Sequence, residues 1–161
     1  MAIAGAYVRG PAVAGTQAVA YPQSAGDVIY NRFTANIPAN TAIGTTIGIG
    51  VLPPGCRIVD AVLESSAVGA GVTVNAGVVA DTRTPAAPPG SNSAADLAAR
   101  TVGSELFAAA SVAAASATRM SAASGFAINP VGYERELAIV TAGAISAATI
   151  QSVTLGVWMV A

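Results

Sequence analysis

The side chains capable of chemistry in this chain are few and scattered. Its acids are Asp27, Asp60, Glu64, Asp81, Asp96, Glu105, Glu134 and Glu136; its cations are seven arginines, with no lysine and no histidine, and Cys56 is its one thiol. A serine or cysteine nucleophile takes histidine or lysine as its base, imine chemistry takes lysine, and transition-metal sites draw on histidine and cysteine clusters. None of these can be assembled within one copy. The expectation is therefore a protein that is not an enzyme, with no catalytic residue, no cofactor and no metal.

The remaining combinations give the same answer. Asp60 and Glu64 fall on one face of an extended segment, but at ~3.3 Å per residue their backbones lie about 13 Å apart, too far for the carboxylate pair of a glycosidase. Charges on a solvated sheet face are the expectation for both. Gly48-Ile49-Gly50 has the outline of a dinucleotide-binding turn, yet Pro53-Pro54 follows where a helix would have to start. A single cysteine closes no internal disulfide, and a buried thiol is expected at Cys56. Asp81 and Arg83 are spaced to pair across a turn, and Glu134-Arg135-Glu136 forms a small charge cluster beside Tyr133.

Composition says what such a chain does instead. Only 9% of residues are charged, against about a quarter in ordinary soluble domains, while 53% are apolar and the mean hydropathy is +0.62. Something must cover that surface. The arginines are spread singly and the net charge is −1, so there is no basic stripe to neutralise phosphates and no nucleic-acid partner is expected. Residues 137 to 161 carry no charge and are long enough to span a bilayer. Thr141, Ser146, Thr149, Gln151, Ser152 and Thr154 interrupt them, and the end alternates rather than running continuously, so no membrane partner is expected either. The first residues lack the basic region, apolar run and cleavage site of a secretory signal.

These residues need elements to hold them, and the elements read as strands. At 161 residues the chain is long enough for one domain with a real core. Residues 1 to 26 mix Ala, Gly and Pro without a sustained period and are expected to form an extended arm, with Tyr7, Arg9 and Tyr21 as contacts to a neighbour. From Val28, Ile29, Phe33, Ala35 and Ile37 alternate with Tyr30, Arg32, Thr34 and Asn36, the pattern of a half-buried strand. Pro38-Ala39-Asn40 ends it. Ile47, Ile49 and Val51 then alternate with Thr46, Gly48 and Gly50, leaving one face nearly bare.

Pro53-Pro54-Gly55 predicts a turn, because proline fixes φ and glycine accepts a positive φ. In the strand from Arg57 to Glu64, Val59, Ala61 and Leu63 are expected on one face and Ile58, Asp60, Val62 and Glu64 on the other. Gly69-Ala70-Gly71 predicts a second turn, before Val72, Val74, Ala76 and Val78. Residues 81 to 93 should be a surface loop. Helices are expected at Ala94 to Arg100, behind Ser93 and Asp96, and at Ser104 to Ala117, where Leu106, Ala110, Ala113 and Ala117 share a stripe. Strands resume at Leu137 to Thr141 and at the end, where Val153, Leu155, Val157 and Met159 oppose Thr154, Gly156, Trp158 and Val160.

The expected fold is thus all-β, an antiparallel β-sandwich or jelly-roll-like barrel over residues 27 to 161 with an arm at 1 to 26. A Pro- and Ala-rich insertion, helical or loop, occupies 81 to 132. Trp158 is expected in the core or as an interface anchor. Arg83, Tyr133 and Arg135 are candidate contacts that set register between subunits, since mismatched charges penalise wrong docking.

The run Phe33-Thr-Ala-Asn-Ile-Pro, then Ile47-Gly-Ile-Gly-Val-Leu-Pro-Pro-Gly-Cys-Arg-Ile-Val-Asp-Ala-Val-Leu63, resembles the strand, Leu-Pro-x-Gly-x-Arg-Val-x-Asp, strand core of small tailed-phage head proteins. The segments Val72 to Arg83, Leu137 to Gly143 and Thr154 to Ala161 resemble the same group. That resemblance implies a head decoration, or cement, protein: a sandwich on the outer surface of the virion capsid, in contact with the major capsid protein and with itself as a homo-oligomer, often a trimer, assembled in the host cytoplasm. A tail, neck or fibre-base component is the alternative. The apolar excess then reads as surface meant for neighbouring protein.

Overall fold

A chain whose apolar residues alternate in short runs buries them by stacking two sheets face to face. The computed structural model describes residues 2–3, 27–80, 101–143, 145 and 150–161. Its strands are β1 (Ala2–Ile3), β2 (Val28–Ile37), β3 (Thr46–Leu52), β4 (Arg57–Ser66), β5 (Thr73–Val78), β6 (Phe107–Ser111), β7 (Ala115–Arg119), β8 (Arg135–Thr141) and β9 (Gln151–Val160), with one short helix, α1 (Ala123–Phe126). One sheet has the order β1-β3-β8-β5-β6 and the other β2-β9-β4-β7. The two-residue β1 runs parallel to β3; the other pairings are antiparallel. This is the expected antiparallel sandwich.

The core lies between the sheets. In β2 the predicted alternation holds: Phe33, Ala35 and Ile37 are buried, and Arg32, Thr34 and Asn36 are exposed. β9 runs between β2 and β4, so its inward residues meet partners on both sides. Leu155 stands opposite Phe33 and Leu63, and Met159 opposite Ile29 and Ile58. From the second sheet, Ile47, Ile139 and Ala76 form a matching cross-strand row. All but the half-buried Ile29 belong to one contiguous core.

Two bulges alter faces that simple alternation would fix. In β3 the register shifts between Gly48 and Gly50, so Ile49 is the extra residue; Gly50 then stands opposite Leu137 and Val51 opposite Glu136. Val51 is buried but outside the main core cluster, whereas Leu52 is in it. The face expected to be bare at Gly50 is filled by the Phe33 ring, whose carbons sit 2.5 Å from where a Cβ would stand. In β4 the shift falls between Ile58 and Asp60. Ile58 joins Ala61 and Leu63 in the core, and Val59 does not, the reverse of the expected placement. An extra residue turns one register step by a face, as the period of 2 requires.

The turns form as their residues demand. Gly55 takes φ +73° after Pro53-Pro54, and Cys56 N–H donates to the Pro53 carbonyl at 3.3 Å. Gly71 takes φ +72°, with Val72 N–H donating to Gly69. Both are the positive φ that the third turn position reserves for glycine.

The helix expected at Ser104 to Ala117 is absent; β6 and β7 occupy that stretch, one as the edge of each sheet. Alanine's helix preference is worth only tenths of a kcal/mol per residue over most alternatives. An alanine stripe also has little surface to bury. As strands, the same residues pair with β5 and β4, and Leu106, Phe107 and Val112 enter the core. The expected helix at Ala94 to Arg100 lies outside the described residues. Among those described, no helix is long and apolar enough to cross a membrane.

Cys56, next to the Pro-Pro-Gly turn, is 1% exposed, and burial pushes its thiol above the ordinary value of 9.0. The thiolate is the reactive form. Native protein at pH 8 is therefore expected to resist a thiol reagent that labels it stoichiometrically once unfolded; native labelling at the rate of a free thiol would contradict this burial.

Candidate protein interface

Two surfaces gather the residues that could recognise another protein. The first is the outer face of the sheet β2-β9-β4-β7, where every second residue of each strand points away from the core. Tyr30 and Trp158 stand opposite one another in the register and their ring centroids are 4.4 Å apart, tilted by 35°. In the next row Gly156 separates Arg32 from Val62. The Tyr30 ring and Val62 occupy the space that a Cβ at Gly156 would need, 2.8 and 2.9 Å away. Tyr30 is 42% exposed and Trp158 half-buried, so the pair is a rigid aromatic patch on the surface. Surface aromatics of this kind are typical anchors once a partner covers them.

Two ion pairs flank the patch. Arg32 reaches over β9 to Glu64 at 2.5 Å, and Arg119 reaches from β7 to Asp60 at 2.5 Å. Asp60 Oδ1 also accepts the Ala61 N–H at 2.8 Å. Exposed pairs contribute little to stability, but they fix where charge lies on a face. Asp60 and Glu64 thus each hold an arginine rather than acting together, in keeping with the sheet-face reading of both.

The hydrogen bond from Arg119 holds the Asp60 carboxyl below its ordinary 3.8, with the Ala61 amide acting in the same direction and burial opposing. A depressed folded-state value means that the stabilisation is complete above the ordinary value and is lost as pH falls through the folded one. The melting temperature is thus expected to drop more steeply below about pH 4 in the native sequence than in Asp60→Asn. Superimposable acid profiles for the two proteins would remove this pair from the account.

The second surface is an open groove of about 610 Å³. Its walls come from Val78 at the end of β5 and Val79-Ala80, from Thr101 to Gly103 and Glu105, from Ser124, Ala127 and Ile128, and from Tyr133 and Arg135, the first residue of β8. Sequence reading placed Arg135 in a cluster with Glu134 and Glu136. Strand alternation separates it instead: Glu136 is buried beside Val51, while Arg135 turns into the groove and donates from Nη2 to the Asn129 carbonyl at 2.8 Å. Its Nε is walled off from solvent without a partner. Burial pulls the Arg135 guanidinium below its ordinary value, against the pull of Tyr133 and Glu105.

Glu105 was not singled out in the sequence. Its carboxylate lies where Cβ atoms at Gly77 and Gly103 would stand, and Oε2 accepts the Val78 N–H at 3.2 Å. The one signal for it was a glycine within a valine-rich strand, which marks a close approach. Of the seven candidate contacts, Tyr133 and Arg135 come together in this groove and Trp158 lies on the sheet face. Tyr7, Arg9, Tyr21 and Arg83 lie outside the described residues.

Taken together, these features define a β-sandwich with an aromatic face and a groove of aliphatic walls with an arginine and a glutamate set in them, both suited to contact with protein. Known structures share this fold. The chain matches one in "Capsid of Ralstonia phage GP4" with a TM-score of 0.77 and 28% identity, covering 99% of this chain and 97% of that one. It matches a second in "Cyanophage Pam1 capsid asymmetric unit" with a TM-score of 0.60 over 94% and 96% of the two chains, where 17% identity makes the likeness one of fold. No protein-family model matches the chain, and no curated protein matches it in sequence. The structural neighbours of this protein are phage capsid proteins.

Proposed function

We propose that this chain is a structural protein of a phage head, which decorates the outer surface of the assembled capsid and cements contacts between major capsid subunits. The observation that carries the reading is the end-to-end likeness to a chain of the Ralstonia phage GP4 capsid. The head-protein resemblance of residues 28 to 83 and 133 to 161 supports the decoration role in particular. So does a surface built for protein: 9% charged residues overall, a surface aromatic pair, and strands β2 and β7 that pair on one side only among the described residues. Edges of this kind accept a further strand unless charge or proline blocks them, and β7 carries only Arg119. The role uses no catalytic residue, cofactor, nucleic acid or membrane.

In this reading the protein forms a small symmetric oligomer, a trimer, and meets both its own copies and the major capsid protein. The test is to add purified protein to mature capsids that lack it, then follow cosedimentation and electron micrographs of the particles. Saturation at a fixed stoichiometry, with new density on the outer surface, is the expected result. A monomer that leaves mature shells bare, or one that appears only on tails, overturns the assignment.

A further inference from the structure

The groove beside β8 holds two opposite charges that do not close on one another. Among the described residues, Arg135 makes one hydrogen bond, to the Asn129 carbonyl, and no ion pair. Glu105 accepts the Val78 amide through Oε2, and among the described residues Oε1 takes no hydrogen bond. Packing fixes this separation, because Gly77 and Gly103 seat the carboxylate against the backbone. The volume, about 610 Å³, falls in the range of built binding sites.

An occupant must satisfy both walls. A lone carboxylate drawn to Arg135 is repelled by Glu105, and a lone cation meets the reverse. An extended main chain presents an acceptor and a donor in every residue and carries no net charge. We infer that the groove docks an extended peptide segment of the capsid partner, with a main-chain carbonyl accepting from the Arg135 guanidinium and a main-chain N–H donating to Glu105 Oε1. Tyr133, 43% exposed at the rim, packs against that segment. This rests on the capsid-binding reading and specifies the chemistry of one contact in it.

The experiment measures binding of full-length protein to capsids that lack it, for Arg135→Gln, Glu105→Gln and Thr101→Trp. Glu105→Gln keeps the shape of the side chain but not its charge, Arg135→Gln removes the guanidinium, and Thr101 is an exposed lining residue whose replacement fills the groove without touching the core. The two Gln variants are expected to bind about tenfold more weakly, the loss for one charge-assisted hydrogen bond, and Thr101→Trp at least as weakly because it blocks the groove, all with little change in salt dependence. Should Arg135→Gln fail to fold, the other two decide. If Glu105→Gln binds more tightly and Arg135→Gln more weakly, with a steep salt dependence, the occupant is a carboxylate and the inference fails. Wild-type affinity in all variants that fold removes the groove from the interface but leaves capsid binding intact; failure of the native protein to bind overturns both.

Discussion

Leu155→Ala is expected to lower the free energy of unfolding by about 2–5 kcal/mol, the range for deleting a fully buried leucine side chain. The position explains the size. Leu155 is 0% exposed in β9, which runs between β2 and β4, and it stands directly opposite Phe33 on one side and Leu63 on the other. The truncation leaves a cavity between three strands and, across the sandwich, beneath the second sheet. Those neighbours cannot collapse into it without disturbing the register that holds them. Urea unfolding at fixed protein concentration reads the effect as a lower midpoint with an unchanged slope. Ile150→Ala is the control: that side chain is 69% exposed, and its loss should change stability by less than about 0.5 kcal/mol. Equal effects at the two positions would mean that Leu155 is not in the core.

The same residues show which parts of the fold a sequence can express. β2 is legible because its burial alternates at every residue from Tyr30 to Ile37, and β9 because Val153, Leu155, Val157 and Met159 recur at every second residue, although Thr154 and Gly156 between them are buried too. The Pro53-Pro54-Gly55 turn is legible because its chemistry is local. The bulges are not, since an extra residue at Ile49 or Val59 leaves no mark on composition while exchanging the faces around it. The stretch 104–117 misleads for a different reason. Alanine expresses a local preference, and what decides there is the backbone of β4 and β5 waiting to be paired. On the sheet face, Trp158 could be named from its type, but its partner Tyr30 is 128 residues away and emerges only from the β2–β9 register. The groove is the least legible feature. It needs Gly77 from one segment, Gly103 and Glu105 from another, and Arg135 directed away from the acids beside it in sequence.

That glycine pair gives the second large expected effect. Gly77→Ala should cost about 1–3 kcal/mol, the usual penalty for forcing atoms into filled space, because the new methyl group meets the Gly103 backbone, with the carbonyl carbon 2.6 Å away, as well as the Glu105 carboxylate. In a Glu105→Ala background the same substitution should keep most of that cost, since the Gly103 backbone still stands in the way. Gly103→Ala behaves differently. The three atoms nearest its methyl all belong to the end of the flexible Glu105 side chain, so it should cost less than about 1 kcal/mol and almost nothing once Glu105 is removed. Denaturation of the six proteins in these two cycles separates the cases. If Gly103→Ala costs as much without Glu105 as with it, the carboxylate does not sit in the glycine seat. The capsid contact built on it then loses its geometry.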